Sequence, residues 1–251
     1  MAYICGVKIE KSDKVLVMGS CFAGGIGERL AAGGRDVCLN PFGTLFNPVS
    51  IRRSLDRLRS GEPFTRDECV RIGAGSDLWC SFSHYTKFGR PSPEEFLSNA
   101  NESLARASEF YRSCSKLILT FGTAFCFRNI ADGKVVSNCL KRPAKEFERF
   151  RLGIDEIVEL YSDLDKEVVF TVSPIRHLAD TAHGNQLSKS TLLLAVDRLV
   201  AERPELRSYF PAYEILLDEL RDFSWYAEDK VHPSEAAVDL ICKRFVEEFC
   251  L

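Results

Sequence analysis

The sequence lacks any stretch approaching the ~20 apolar residues that a membrane-crossing helix needs, so no such helix is expected. It also lacks an excess of either charge: 33 lysines and arginines face 36 aspartates and glutamates, a formal net charge of −3. That balance offers neither the basic footprint of a nucleic-acid binder nor a polybasic membrane patch. No nucleic-acid or membrane partner is therefore expected. None of the ten cysteines falls in a C-x-x-C pair, and no cluster of ligands suggests a zinc site. The G-x-G-x-x-G signature of a dinucleotide loop is absent, so neither a cofactor nor a metal is expected. Repeats, low-complexity tracts and linkers are missing too. The opening M-A-Y-I-C-G-V-K-I-E has no basic start and no long apolar core, and it does not read as a secretory leader. The expectation is a cytoplasmic chain.

What is present is the composition of an ordinary globular protein. With 251 residues, 45% hydrophobic and 27% charged, the chain suits one domain over 1–251 with a substantial core. Several cysteines sit in apolar runs, as Cys38 does in D-V-C-L and Cys242 in L-I-C-K. They read as small buried hydrophobes in a reducing compartment.

Short apolar runs at Lys14–Met18, Val37–Leu39, Leu117–Phe121 and Val168–Val172 read as buried parallel strands, with a fifth expected at Tyr213–Leu217. Helical patterns follow Ser20 to about Ala32 and cover Val49–Ser60, Ile154–Leu164 and Leu187–Ala201. Ser92-Pro93-Glu94-Glu95 opens another helix with a cap, a first-turn proline and acidic residues at its positive end, and Pro233-Ser234 opens the last. Ala131-Asp132-Gly133 reads as the turn of a hairpin between Phe125–Arg128 and Lys134–Val136. Residues 62–92 read as an insertion or lid, with a possible strand at Leu78–Ser83. Strand–helix alternation over most of the chain predicts a parallel sheet covered on both faces. In such sheets ligands bind beyond the carboxyl ends of the strands.

Ser20 stands between the first strand and a glycine-containing helix start. Such a turn exposes a hydroxyl beside unpaired helix N–H groups, which can stabilise an oxyanion. A serine there is more often an N-cap, and as a nucleophile it needs a base. Asp229-Lys230-Val231-His232 supplies one: the three-residue spacing lets the carboxylate reach the near imidazole nitrogen, fix the tautomer and support the charged ring. On this reading His232 lies within hydrogen-bond reach of Ser20. Cys21 is an alternative nucleophile, expected to face the core instead. Among the other histidines, His177 and His183 stand as substrate-binding candidates with a structural role equally open, and His84 is assigned to structure or to a lid. Arg176 is a candidate for holding an acidic group.

Gly19-Ser20-Cys21-Phe22-Ala23 is the string that names the GSCFA family. The chain resembles that family also at Asn40-Pro41-Phe42-Gly43-Thr44, Ser81-Phe82-Ser83-His84-Tyr85, Gly122-Thr123-Ala124, Ser173-Pro174-Ile175-Arg176-His177, Ala182-His183-Gly184-Asn185-Gln186-Leu187-Ser188-Lys189 and Ala227–Pro233. The family looks like a branch of the SGNH hydrolases. The resemblance implies a three-layer α/β/α flavodoxin-like fold around a mostly parallel, five-stranded sheet. It places Ser20 on the nucleophile and Asp229 and His232 on the D-x-x-H of the last block. Oxyanion donors are then expected from Ser20, Gly43 and Thr123, because the third-block asparagine of SGNH enzymes has no counterpart here, and Asn185 joins the substrate-binding candidates. The expected chemistry is hydrolysis of a small ester, with a carbohydrate-linked acetyl or other short acyl ester as the leading substrate. Acyl transfer by the same residues and a catalytically silent binding module are the alternatives.

Overall fold

The computed structural model describes residues 6–251. Cys5 and the first half of the segment read for a leader lie outside the described residues. Five strands form one all-parallel sheet: β1 (Lys14–Gly19), β2 (Asp36–Leu39), β3 (Lys116–Phe121), β4 (Glu167–Val172) and β5 (Arg207–Phe210). Their spatial order is β5-β4-β3-β1-β2, the flavodoxin-like order, with its topological switch point between β1 and β3. Gly19 lies opposite Thr120 in that pairing.

The period-2 alternation of β1 decides which helices cover which face. Val15 and Val17 pack against Phe22, Ile26 and Leu30 of α1 (Cys21–Ala32) and against the chain's last helix, Glu235–Phe249. Leu16 and Met18 point the other way, toward α2 (Pro48–Ser60), α3 (Pro93–Ser113), α4 (Ile154–Tyr161) and α5 (Thr181–Glu202). The result is three layers, α/β/α.

Local chemistry sets the helix starts. The Asn47 carboxamide accepts from the Ser50 N–H at 2.9 Å ahead of Pro48. Ser92 accepts from the Glu95 N–H at 3.1 Å ahead of Pro93, and Ser234 accepts from the Ala237 N–H at 3.3 Å. Among the described residues no helix is long and apolar enough to cross a membrane.

Three local expectations change. The fifth strand is Arg207–Phe210; Tyr213–Leu217 is helical instead, and Ile215 and Leu216 are buried there. Only Trp79–Cys80 of the Leu78–Ser83 run is extended, paired with Val70–Arg71. The helix expected from Leu187 begins at Thr181, which puts His183 and Asn185 on it. Two additions lie at the carboxyl edge of the sheet. Residues 62–92 pack Phe64, Ile72 and Cys80 into the core. Residues 125–151 form the expected hairpin plus a strand at Phe147–Arg151, which completes a separate three-stranded antiparallel sheet.

Candidate active site

Ser20 follows the last residue of β1, at the switch point. Gly19 makes the turn possible: its φ is +140°, and a Cβ there would stand 2.2 Å from the Thr120 carbonyl oxygen, so only glycine fits. The turn is clamped from both sides. The Gly19 N–H donates to the Asn40 side chain at 2.9 Å, the Gly19 carbonyl accepts from the Leu45 N–H at 2.9 Å, and the Ser20 N–H donates to the Thr120 carbonyl at 3.1 Å. The segment Asn40–Thr44 thus serves as a brace for Ser20.

The Ser20 side chain is no cap. It accepts no hydrogen bond from α1. Its hydroxyl is buried without a hydrogen-bond partner among the described residues. Buried polar groups are rarely left unpaired, which makes this one conspicuous.

The Asp229–His232 turn is built locally. One Asp229 oxygen accepts the N–H groups of Val231 and His232, each at 2.9 Å, and the other faces His232 Nδ1 at 2.6 Å. These donors, the His232 N–H first and its ring second, hold the Asp229 carboxyl down at about 2. The Ala227 N–H donates to the His232 carbonyl at 2.8 Å, and the Arg176 N–H to the Val231 carbonyl at 3.0 Å, tying this turn to the loop after β4. His232 therefore presents Nε2 away from Asp229, as a base requires. In this arrangement the Ser20 hydroxyl and His232 are not hydrogen-bonded to each other.

His232 opens on a cavity of about 460 Å³ whose walls include Cys21, Phe46, Tyr85, Arg176 and His177. Cys21 corrects an expectation: it is exposed and lines this cavity rather than facing the core. The turn after Ser20 enters the helix at Cys21, so it is Phe22 that packs inward. Although the residue is exposed, the protein packed around its sulfur desolvates the thiol and pushes it above its ordinary value, while the Cys21 and Phe22 N–H groups and the Lys189 ammonium pull the other way. All nine described cysteines are free thiols.

Each oxyanion donor expected from sequence has a partner here. The Ser20 N–H is taken by the Thr120 carbonyl, and the Gly43 N–H donates to the Asn40 carbonyl at 2.8 Å. The Thr123 hydroxyl lies 3.0 Å from that of Ser188 and accepts from the Phe125 N–H at 3.0 Å. Arg176 lines the cavity and stacks over Tyr226 at 5.7 Å. Asn185 is buried and accepts from the His177 N–H at 2.9 Å, so it supports that loop from below. His183 is exposed on the first turn of α5. His84 is wholly buried among Phe42, Phe64, Phe88 and Phe96, with Nδ1 at 2.7 Å from the Ser81 hydroxyl, a structural position.

The residue that sequence reasoning assigned no role is Lys189. It is fully buried, and its ammonium donates to the Gly122 and Ser173 carbonyls, both at 2.7 Å. Those carbonyls terminate the adjacent strands β3 and β4. Both partners are neutral, and among the described residues the lysine makes no ion pair. Burial pushes it down to about 7. It also helps burial push His177 down to about 4, and the His177 Nε2 is likewise buried without a partner among the described residues. The signal was the α5 stripe, for Lys189 sits in register with buried Asn185, Leu192 and Val196, at helical spacing.

The model of the GSCFA family matches residues 14–245. The chain belongs to the GSCFA family. No curated protein and no solved structure matches it. Within this GSCFA chain the strings that carry the resemblance converge in space: the turn at Ser20, its Asn40 brace, the His177 loop, the Lys189 strut and the Asp229–His232 turn all gather at one edge of the sheet.

Proposed function

We propose that this GSCFA protein is a serine hydrolase of the SGNH type that cleaves an ester through an acyl-Ser20 intermediate. The observation that carries the reading is the Ser20 hydroxyl itself: buried, released from any cap, and placed at the switch point where flavodoxin-order sheets bind ligands. In this mechanism Ser20 Oγ attacks the ester carbonyl and passes its proton to His232 Nε2. Apo geometry at such sites is commonly loose, and the Ser20–His232 bond forms as substrate seats. The N–H groups of Cys21 and Phe22 at the start of α1 face the developing oxyanion, assisted by the positive end of the helix. Collapse expels the alcohol, which takes the proton back from His232. Water then attacks the acyl-serine with His232 again as base, releasing the acid and restoring Ser20. An alcohol in place of water gives acyl transfer by the same steps.

A second reading has one observation in its favour: Cys21, not Ser20, is exposed in the cavity with His232. A thiol pushed above its ordinary value is a poor source of thiolate, so the serine is preferred. A fluorophosphonate probe tests the choice. Labelling is expected in wild type and in Cys21→Ala, and is lost in Ser20→Ala. Labelling that survives Ser20→Ala, or that is absent throughout, removes the serine mechanism, and absence from a broad ester panel as well favours a binding module.

A further inference from the structure

A second chamber adjoins the active-site cavity. Its volume is about 400 Å³, and it shares Phe46 and His177 with the first. The two chambers therefore adjoin at Phe46 and His177. An ester has two sides, and a bipartite cavity with His232 in the wall of one chamber suits such a substrate.

The walls tell which side goes where. Phe46, Phe125, Phe127 and Val136 supply apolar surface. Several polar groups of the chamber are engaged with the protein itself, and those left over, among them the Ser137 hydroxyl, are outweighed by the apolar surface. Asn47 caps α2. Asn138 accepts from the Leu140 N–H at 2.7 Å. Thr123 is bound to Ser188 and the Phe125 N–H. Arg149 is paired with Asp180 and lies flat on the Phe125 ring at 3.7 Å. A polyhydroxylated ligand would need free donors and acceptors to replace its water; a hydrocarbon needs only apolar contact.

Resting on the hydrolase reading above, we propose that this chamber is an acyl-binding site and that the substrate's acyl group is a hydrocarbon chain of medium length rather than acetyl, since a chamber of this size admits a group far bulkier than two carbons. The chain lies against Phe125 and Phe127, its carbonyl reaches Ser20 from where the chambers adjoin, and the alcohol portion occupies the cavity bounded by Arg176 and Tyr85. The inserted sheet 125–151 is then a specificity element.

Two measurements on the full chain test this separately from the chemistry. The first is kcat/KM across p-nitrophenyl acetate, butyrate, hexanoate and octanoate. Burying each methylene is worth about fourfold, so hexanoate is expected to exceed acetate by at least about tenfold. Val136→Trp, which fills the chamber, and Phe127→Ala, which strips a half-exposed wall, should each drive that ratio toward one. A preference for acetate, or a ratio untouched in both variants, overturns the proposal. The second is calorimetric titration of octanoate into Ser20→Ala, which needs no turnover. Binding that is lost in Ser20→Ala carrying Val136→Trp supports the chamber even if no ester is hydrolysed, an outcome that would overturn only the hydrolase reading. Failure of octanoate to bind, or binding of xylose in its place, overturns the acyl site.

Discussion

Asp229 and His232 stand three residues apart in one turn, their side chains 50% and 52% exposed, whereas Ser20, His177 and Lys189 come from three separate elements and are largely or wholly buried. The exposed half is held by its own backbone: two N–H groups fix the carboxylate, and the carboxylate fixes the ring. The buried half has no such closure. Among the described residues Ser20 Oγ and His177 Nε2 have no partners, and the Lys189 ammonium donates only to neutral ones. Leaving polar groups unpaired in a core is destabilising, so the difference separates a self-contained Asp–His turn from a floor held open by the rest of the fold. Such a floor keeps its hydrogen-bonding capacity for a ligand.

The largest effect should come from cutting across both halves. Ser20→Ala and His232→Ala are each expected to lower kcat/KM for a responsive p-nitrophenyl ester by at least about 10³-fold, and the double variant by little more, because residues acting as one unit are not additive. Asp229→Ala should cost less, about 10²-fold, and should leave the melting temperature nearly unchanged, since its contacts are local and solvent-exposed. A large drop in melting temperature for Asp229→Ala would erase the distinction between the halves.

Lys189→Met probes the buried half alone. It should lower kcat/KM about tenfold, because the amine that faces Cys21 and ties β3 to β4 is lost, and it should lower the melting temperature as well, since two buried carbonyls lose their donor. The pH dependence is the sharper readout. Cys21 on α1, His177 on the loop after β4 and Tyr213 beyond β5 face the ammonium. The folded protein releases the Lys189 proton near 7, whereas an unfolded lysine holds it to about 10.5. Between those values the unfolded chain binds more protons, so this residue makes stability rise with pH. Denaturant midpoints measured from pH 7 to 10 should show that rise in wild type and a weaker one in Lys189→Met. Identical slopes would assign the charge elsewhere.

The smallest effect on activity is expected at His84, remote from the reacting atoms. Burial, and secondarily Arg57, push His84 down to about 3 against an ordinary 6.5. The unfolded state then binds the extra proton between those values, and stability falls as the pH drops from 6.5 toward 3. In His84→Phe the loss of melting temperature between pH 7 and pH 4.5 should shrink, with kcat/KM at pH 7 within about threefold, as for a substitution away from the site.

The same contrast governs what could be read from the sequence. Asp229 and His232 were legible because their geometry is a matter of spacing. Strands β1, β3 and β4 were legible because buried parallel strands are near-continuous apolar runs. Strand β5 was not: it opens with Arg207 and Ser208, both fully buried. Arg207 is tolerated because its guanidinium donates to the carbonyls of Leu199 at 3.0 Å and of Tyr161 and Ser162 at 2.8 Å, partners supplied by distant helices. The more apolar Tyr213–Leu217 drew the strand assignment in its place. The start of α5 was read late because its first turn is polar. Cys21 was turned toward the core because the sequence does not reveal where the Ser20 turn ends and α1 begins. Lys189 went without a role because its partners are backbone carbonyls, which leave no trace in residue types.

The outer wall of the second chamber is one unbroken stretch of chain. Residues 125–151 leave the sheet after β3 and rejoin the fold just before α4, and they contain neither Ser20, His177, Lys189, Asp229 nor His232. Inheritance can therefore act on the two parts independently. A lineage can lengthen, trim or replace the segment by a single local event while the reactive edge is passed on intact. The two ends of the stretch meet at a buried joint, where the Leu152 N–H donates to the Ala124 carbonyl at 3.0 Å, and any transplant of the stretch must carry that joint with it.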